Sequence, residues 1–173
     1  MTRKLAALVA GLCAVWLVVL PTAALYFLVR IDDFGAMAIG NLAMPIQWYT
    51  VGNGQWYALW AITALFLALS YAGAWNLRKA FASFARGDWF DIENSRYLRR
   101  YAALLILQGV AKPVHFALAS VILSLKHPAG ERLLSISIGS DVAVLMIAGF
   151  ILWVLADLLV EGSKADTENR QFV

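Results

Sequence analysis

Residues 81–100 read FASFARGDWFDIENSRYLRR, and this basic stretch separates two pairs of long apolar runs. Apolar residues dominate the 173-residue chain: 62% are hydrophobic and only 14% are charged, and the mean hydropathy is +0.72. A soluble domain is closer to half apolar and a quarter charged. This composition excludes an ordinary soluble domain.

The apolar residues are gathered in four runs, each long enough to cross about 30 Å of hydrocarbon as a helix. The predicted spans are residues 5–29, 56–77, 101–125 and 141–160. None of them shows the polar face at a 3.6-residue period that a helix of a soluble core requires. We therefore predict an all-α integral membrane protein with four transmembrane helices in one domain, residues 1–173.

Basic residues are distributed unequally between the segments that connect these runs. If the N-terminus is inside, ten Lys and Arg residues lie on the cytoplasmic side and three outside, Arg30, Lys126 and Arg132. Membrane proteins retain an excess of Lys and Arg in their cytoplasmic loops. Both termini are therefore predicted to be cytoplasmic, and the basic charge is explained by topology rather than by nucleic acid, for which no binding is expected.

The first run has some features of a cleaved signal peptide. Two basic residues precede it, and Pro21-Thr22-Ala23-Ala24 resembles a small-residue cleavage site. The apolar run continues five residues beyond Ala24, however, which is longer than the apolar region of a signal peptide. An uncleaved helix is the preferred interpretation.

The basic stretch itself predicts two helix ends joined by a turn. Residues 76–86 retain helical spacing, and Gly87 follows them at a position where glycine ends helices in the left-handed conformation. Asp91 is a good N-cap, and Glu93 in the next turn is favoured by the helix dipole. The second span therefore continues into a cytoplasmic helical hairpin that leads into the third.

A pattern of aromatic, glycine and basic residues in this stretch resembles the inner loop of a known family. Its members here are Phe81, Phe84, Gly87, Phe90, Asn94, Leu98, Arg99 and Arg100. The family is the bacterial one called domain of unknown function 2975, and the four-span layout and the chain's ending resemble it too. The chain departs from the family pattern at Asp91, usually Thr or Ser, and at Ala165, usually Leu. The resemblance implies a small multi-pass protein of the bacterial cytoplasmic (inner) membrane, without an assigned activity but with a possible soluble regulatory partner.

The two outer segments have strand-like composition. Residues 47–51 precede an Asn-Gly turn signal, and Leu134 to Ile138 alternate strictly between apolar and polar residues. We predict that both segments are extended. A small sheet formed by their pairing is one way in which they would cap the helices on the outside.

Polar residues within the spans are the sharpest anomaly. Gln108, Lys112 and His115 form a stripe near the middle of the third span, where ionisable groups are costly and usually functional. One interpretation is a proton relay, an ion path or a site for a polar headgroup. The other is a lysine, neutral or paired with polar groups, that locks helix packing.

Asp141 is the candidate counter-charge for Lys112. If the fourth helix starts near Glu131, Asp141 lies at about the depth of His115. If residues 135–138 are extended, Asp141 lies in the first turn of that helix, and we expect it at the outer surface. A second carboxylate, Asp157, is either an interfacial group or the partner of an arginine of the inner loop, whose basic charge we expect to associate with the acidic tail.

The cytoplasmic hairpin is the candidate interaction surface. Its residues are Phe81, Phe84, Arg86, Gly87, Phe90, Asp91, Asn94, Arg96, Arg99 and Arg100. Basic side chains near an anionic surface each contribute about 1 kcal/mol of binding, so the expected partners are the lipid bilayer with its anionic headgroups and a soluble protein. We therefore predict a non-enzymatic interaction or regulatory protein, with a small transport or proton-relay unit as the alternative.

Cysteine and histidine usage argues against metal chemistry. The chain has one cysteine, Cys13, and two histidines, so neither a metal site nor a cofactor is expected. No nucleophile triad, phosphate-binding glycine loop or catalytic carboxylate pair is found in the sequence, and we predict that the chain is not an enzyme. Ala7 and Gly11 form a small-xxx-small pair that favours bundle packing, with a homo-oligomer contact as the alternative.

Overall fold

A computed structural model describes residues 2–42, 44–89, 91–128 and 130–171, with side chains described as far as residue 164. The elements are α1 (Thr2–Val29), α2 (Ile31–Asn41), a 3₁₀ turn (Trp48–Thr50), α3 (Asn53–Arg86), α4 (Ile92–Ser124) and α5 (Ser140–Gln171). These ranges contain five α-helices and no strand. Four of the helices, α1, α3, α4 and α5, are long and apolar enough to cross a membrane. The all-helical fold with four long apolar helices is thus confirmed.

The long helices pack as chain neighbours, α1 on α3, α3 on α4 and α4 on α5. Three side-chain contacts hold α3 and α4 antiparallel, taken in order from the end of the bundle predicted to be outer to the end predicted to be inner: Gln55 to the Ile122 carbonyl at 2.8 Å, Thr63 to His115 at 3.1 Å and Ser70 to Gln108 at 3.3 Å. Successive contacts are eight and seven residues apart on α3 and seven residues apart on α4, which is about 10–12 Å of helix rise. The contacts therefore mark levels along the bundle about 10 Å apart.

The first outer segment is folded differently from the prediction. Residues 47–51 contain a 3₁₀ turn instead of a strand, so the predicted extension of this segment is wrong. Residues 31–41 form α2, whose Ile31, Phe34 and Ala38 are buried at helical spacing. Gly35 lets the Trp56 ring approach closely, since an added Cβ would lie 3.0 Å from that ring. Within the described residues, the first outer segment therefore offers no strand with which the second could pair.

Helix α3 ends at Gly87 and helix α4 begins after Asp91, the two residues that the sequence indicates. Gly87 follows α3 with φ of 102°, in the left-handed region that favours glycine. The Asp91 carboxylate accepts a hydrogen bond from the Glu93 amide at 3.0 Å and caps α4. Asn94 is buried beneath the turn and donates to the Asp88 carbonyl at 2.5 Å. Two side-chain hydrogen bonds, at Asp91 and Asn94, thus connect the described part of the turn with the first residues of α4.

Candidate functional site

Residues 131–139 run back along the outer half of α4. The Leu133 amide donates to Ser124 Oγ at 3.0 Å, and the Ser135 amide donates to Ser120 Oγ at 2.9 Å. A step of two residues in the segment, from Leu133 to Ser135, thus covers the same length as four residues of α4, about 6 Å. This corresponds to about 3 Å per residue, the rise of an extended chain. The segment is extended, as predicted for residues 134–138, but its hydrogen-bonding partner is a helix and not a second strand.

Each serine hydroxyl has two roles in this contact. The Ser124 hydroxyl donates to the Ser120 carbonyl at 2.8 Å, and the Ser120 hydroxyl donates to the Ala117 carbonyl at 2.8 Å. Their oxygens remain free to accept the two amides of the extended segment. Both serines are buried, so these hydrogen bonds are protected from competition. The pair therefore sets the path of the chain between α4 and α5.

The extended segment brings the start of α5 down to the middle of α4. Asp141 lies in the first turn of α5 and forms an ion pair with Lys112. The expectation that an extended segment would leave Asp141 at the outer surface is wrong, because the segment descends along α4. His115, three residues from Lys112, is level with Thr63, which lies about 10 Å along α3 from Trp56. Asp141 is therefore in the first turn of α5 and within reach of Lys112, near the middle of α4.

The Lys112–Asp141 ion pair is only partly enclosed. The lysine side chain is 44% exposed and the aspartate side chain 48%. The N-terminus of α5 adds positive partial charge, which favours the Asp141 carboxylate at this position. Close by, Gly109 brings α4 and α5 together, since an added Cβ would lie 2.8 Å from Met146. The site combines a charge pair, a helix N-terminus and a close helix contact on one side of α4.

The other two residues of the predicted polar stripe contact α3. His115 Nε2 lies 3.1 Å from the Thr63 hydroxyl, and its ring centroid lies 5.5 Å from that of Phe66. Gln108 accepts a hydrogen bond from Ser70. Across the described ranges, no hydrogen bond joins Gln108, Lys112 and His115 to one another. The structure therefore divides the stripe between two helix interfaces.

A groove of about 510 Å³ lies next to Gln108, between α1, α3 and α4. Its polar lining residues are Cys13, Ser70, Tyr101 and Gln108, and the remaining lining residues are apolar. Gln108 is 7% exposed and uses its carbonyl oxygen for Ser70. The groove is thus a largely apolar cleft with a few hydrogen-bonding groups contributed by all three helices.

The apolar residues of the candidate interaction surface lie largely inside the bundle. Phe84 is buried with Ala6, Ala80, Leu98 and Ala156, and Phe81 packs against this cluster. Asn94 is 1% exposed. These side chains hold the turn against α1 and α5. Phe90 lies outside the described residues.

The basic residues of that surface differ in their partners. Arg86 pairs with Asp88 at 3.4 Å. Arg99 forms an ion pair with Asp157 and lies over the Trp153 ring, 5.8 Å from its centroid. Asp157 is therefore the partner of an inner-loop arginine, the second of the two alternatives. Arg96 and Arg100 are exposed, and within the described part of the chain they form no ion pair.

Ser120, Ser124 and Gln55 are the functional candidates that the sequence pattern did not single out. Gln55 accepts from the Gly52 amide at 3.0 Å and donates to the carbonyls of Ile122 and Leu123. It therefore caps the start of α3 and the end of α4 together. Two serines four residues apart in an apolar helix were an available signal, because such hydroxyls often bond across helix interfaces.

These features define a class of protein: an all-helical chain with four apolar helices of membrane-spanning length and charged residues at one helix interface. Among the described residues, no group of three or more His, Cys, Asp and Glu side chains is arranged to hold a metal ion. No family model matches this chain, and neither a curated protein nor a solved structure matches it.

Proposed function

We propose that this chain is a four-span protein of the bacterial cytoplasmic membrane that acts by interaction and not by catalysis. In the proposed orientation, which follows from the excess of basic residues at one end of the bundle, both termini and the α3–α4 turn are cytoplasmic. The resemblance to the family called domain of unknown function 2975 is consistent with this and stays a prediction. The inner end of the bundle would contact anionic lipid headgroups and a soluble regulatory partner.

The observation that supports this function is the unpaired basic charge at the inner end. Six basic residues there are exposed and, in the described ranges, form no ion pair: Arg3, Lys4, Arg78, Lys79, Arg96 and Arg100. The neighbouring apolar side chains are already packed against one another. A rigid surface with free guanidinium groups suits phosphate and carboxylate groups, which arginine binds with two parallel hydrogen bonds.

Topology and lipid binding are tested with one set of variants. In a Cys13→Ala background, an impermeant thiol reagent should label Arg132→Cys in intact cells and Arg96→Cys only after the cells are opened. Arg96→Gln with Arg100→Gln should weaken the stabilisation that anionic lipid gives over zwitterionic lipid in nanodiscs. Arg132→Gln, at the other end, is the matched control. Equal effects of both changes would contradict the proposal.

A transport or proton-relay unit is the second candidate, and the half-exposed Lys112–Asp141 pair favours it. Charged groups at this depth usually face a partner or a water-filled cavity. Proteoliposomes should then show a pH-dependent proton flux that is lost in Lys112→Leu and retained in Arg99→Leu. Equal flux in protein-free and protein-containing vesicles would rule this candidate out.

A further inference from the structure

The groove between α1, α3 and α4 has a cation at its inner end. Ser70 and Ala74 of α3 line the groove, and Arg78 follows Ala74 by four residues. Arg78 therefore lies on the same face of α3, one helical turn nearer the inner end. Its guanidinium group is close enough to Cys13, which lines the groove on α1, to interact electrostatically with the thiol. The groove thus opens beside a positive charge.

The charge of Arg78 is not compensated by any described residue. Arg78 is exposed, and within the described ranges it forms neither a hydrogen bond nor an ion pair. The residues that line the groove are all uncharged. An arginine at the end of an uncharged groove complements an anionic group at the end of an apolar molecule, and its planar guanidinium suits the oxygens of a phosphate.

Two hydrogen-bonding side chains line the groove further from its mouth. Gln108 is 7% exposed, and its carbonyl oxygen accepts from Ser70. Its amide nitrogen has no acceptor in the part of the chain that the structure describes, and neither has the Tyr101 hydroxyl, seven residues or about 10 Å nearer the inner end. A polar group buried in apolar surroundings without a partner is costly. The two groups therefore point to an occupant with hydrogen-bond acceptors at this depth.

We propose that the groove binds one molecule of an anionic phospholipid from the cytoplasmic leaflet. Its phosphate lies at Arg78, its ester carbonyls accept from Tyr101 and Gln108, and an acyl chain follows the apolar wall formed by Leu12 and Val15. The inference rests on the proposed function, which places this end of the bundle at the cytoplasmic face. The groove volume of about 510 Å³ is within the roughly 300–1,000 Å³ of small-molecule sites.

The order of the groups along the groove favours a phospholipid over other occupants. A phospholipid has an anion, then carbonyl acceptors, then long apolar chains, and the groove has a cation, then two donors, then an apolar wall in the same direction. A transmembrane helix of a partner protein fits less well. Its backbone carbonyls are already satisfied within the helix, so the amide of Gln108 would remain without an acceptor.

Native mass spectrometry of the purified protein in detergent tests the site. The probes are phosphatidylglycerol, which is anionic, and phosphatidylcholine, which is zwitterionic, with the same acyl chains. The protein should retain one phosphatidylglycerol per chain in preference to phosphatidylcholine. Arg78→Gln should weaken this binding by about tenfold or more, as the loss of a charge-assisted hydrogen bond predicts. Equal retention of both lipids, or unchanged binding in Arg78→Gln, would overturn the proposal.

A matched pair of α1 variants tests whether the acyl chain occupies the groove. Val15 lines the groove and is 60% exposed, whereas Val18 is 64% exposed and is not among the lining residues. Val15→Trp should fill the groove and displace the lipid, and Val18→Trp should retain it. Because both positions are exposed, neither change requires the bundle to repack. Equal lipid binding in the two variants, or a protein dimer without lipid, would contradict the assignment of the groove to a phospholipid.

The double variant Arg96→Gln with Arg100→Gln separates this site from the proposed function. It should weaken the general stabilisation by anionic lipid in nanodiscs and leave the retained lipid in place. If the double variant releases the retained lipid and Arg78→Gln does not, the groove site is wrong and the basic inner surface is supported. If Arg78→Gln and Val15→Trp release the lipid while the double variant has no effect in nanodiscs, the groove site is supported and the broader lipid-binding surface is wrong.

Discussion

Lys112 of α4 and Asp141 of α5 form an ion pair at the first turn of α5. Thirteen residues closer to the inner end of α4, Arg99 pairs with Asp157 on the same two helices. Between them, Gly109 and Gly149 bring the helices into close contact. Two charge pairs and two glycines thus fix how α4 and α5 align.

Removing one member of the Lys112–Asp141 pair should destabilise the protein more than removing both. A lone charge at the centre of a membrane helix costs about 2.5–3.5 kcal/mol on insertion scales. Lys112→Leu and Asp141→Leu should each lower the melting temperature in nanodiscs, and the double variant should recover most of the loss. A double variant that is no more stable than either single variant would contradict this coupling.

Loss of either serine hydroxyl on α4 should loosen the extended segment of residues 131–139. Ser120→Ala and Ser124→Ala each remove the acceptor of a segment amide, at a cost of about 1–3 kcal/mol for an unsatisfied buried donor. Hydrogen exchange of the Leu133 and Ser135 amides should accelerate in the corresponding variant. Ser70→Ala, whose hydroxyl binds only Gln108, should leave that exchange unchanged. Acceleration in Ser70→Ala as well would indicate general loosening of the bundle.

Two glycine substitutions should have opposite effects on stability. A Cβ at Gly149 would lie 3.0 Å from the Ala102 carbonyl oxygen, whereas one at Gly11 meets nothing within 4 Å. Gly149→Ala should therefore cost about 1–3 kcal/mol through overpacking. Gly11→Ala should be neutral or stabilise by up to about 1 kcal/mol through helix propensity. Thermal unfolding in one detergent compares them directly, and a tolerated Gly149→Ala would refute the close contact.

The Arg99–Asp157 ion pair should contribute less to the stability of the protein than the Lys112–Asp141 ion pair. The side chains of Arg99 and Asp157 are about half exposed near the predicted headgroup level, where ion pairs are worth up to about 1 kcal/mol. Asp157→Asn should cause a small loss of stability that shrinks with added salt. Exchanging the two charges by Arg99→Asp with Asp157→Arg should recover it. Arg132→Gln, at the other end of the bundle and without an ion-pair partner in the described ranges, is the control and should show no salt-dependent loss.

The four long helices and the turn between α3 and α4 could be predicted from the sequence alone. Apolar length predicts the helices, since few structures other than a helix bury so long an apolar run. Gly87 and Asp91 predict the turn because each has a conformational or hydrogen-bonding role at a helix end. These signals are local, and tertiary contacts do not reverse them.

Features that depend on distant contacts could not be predicted. Residues 31–41 contain two glycines, which weaken helix propensity, and α2 is stabilised by its packing on Trp56 and Leu123. The descent of residues 131–139 depends on Ser120 and Ser124, which no local pattern connects with that segment. For the same reason the sequence left the depth of Asp141 open between two alternatives.

The low start of α5 has a consequence for biosynthesis. Asp157 follows Asp141 by sixteen residues, about 24 Å of helix against the roughly 30 Å of a hydrocarbon layer. If the chain crosses a membrane as proposed, part of the fourth crossing is made by the extended segment and not by a helix. Because that segment donates its hydrogen bonds to Ser120 and Ser124 of α4, it can take its final path only once α4 is in place.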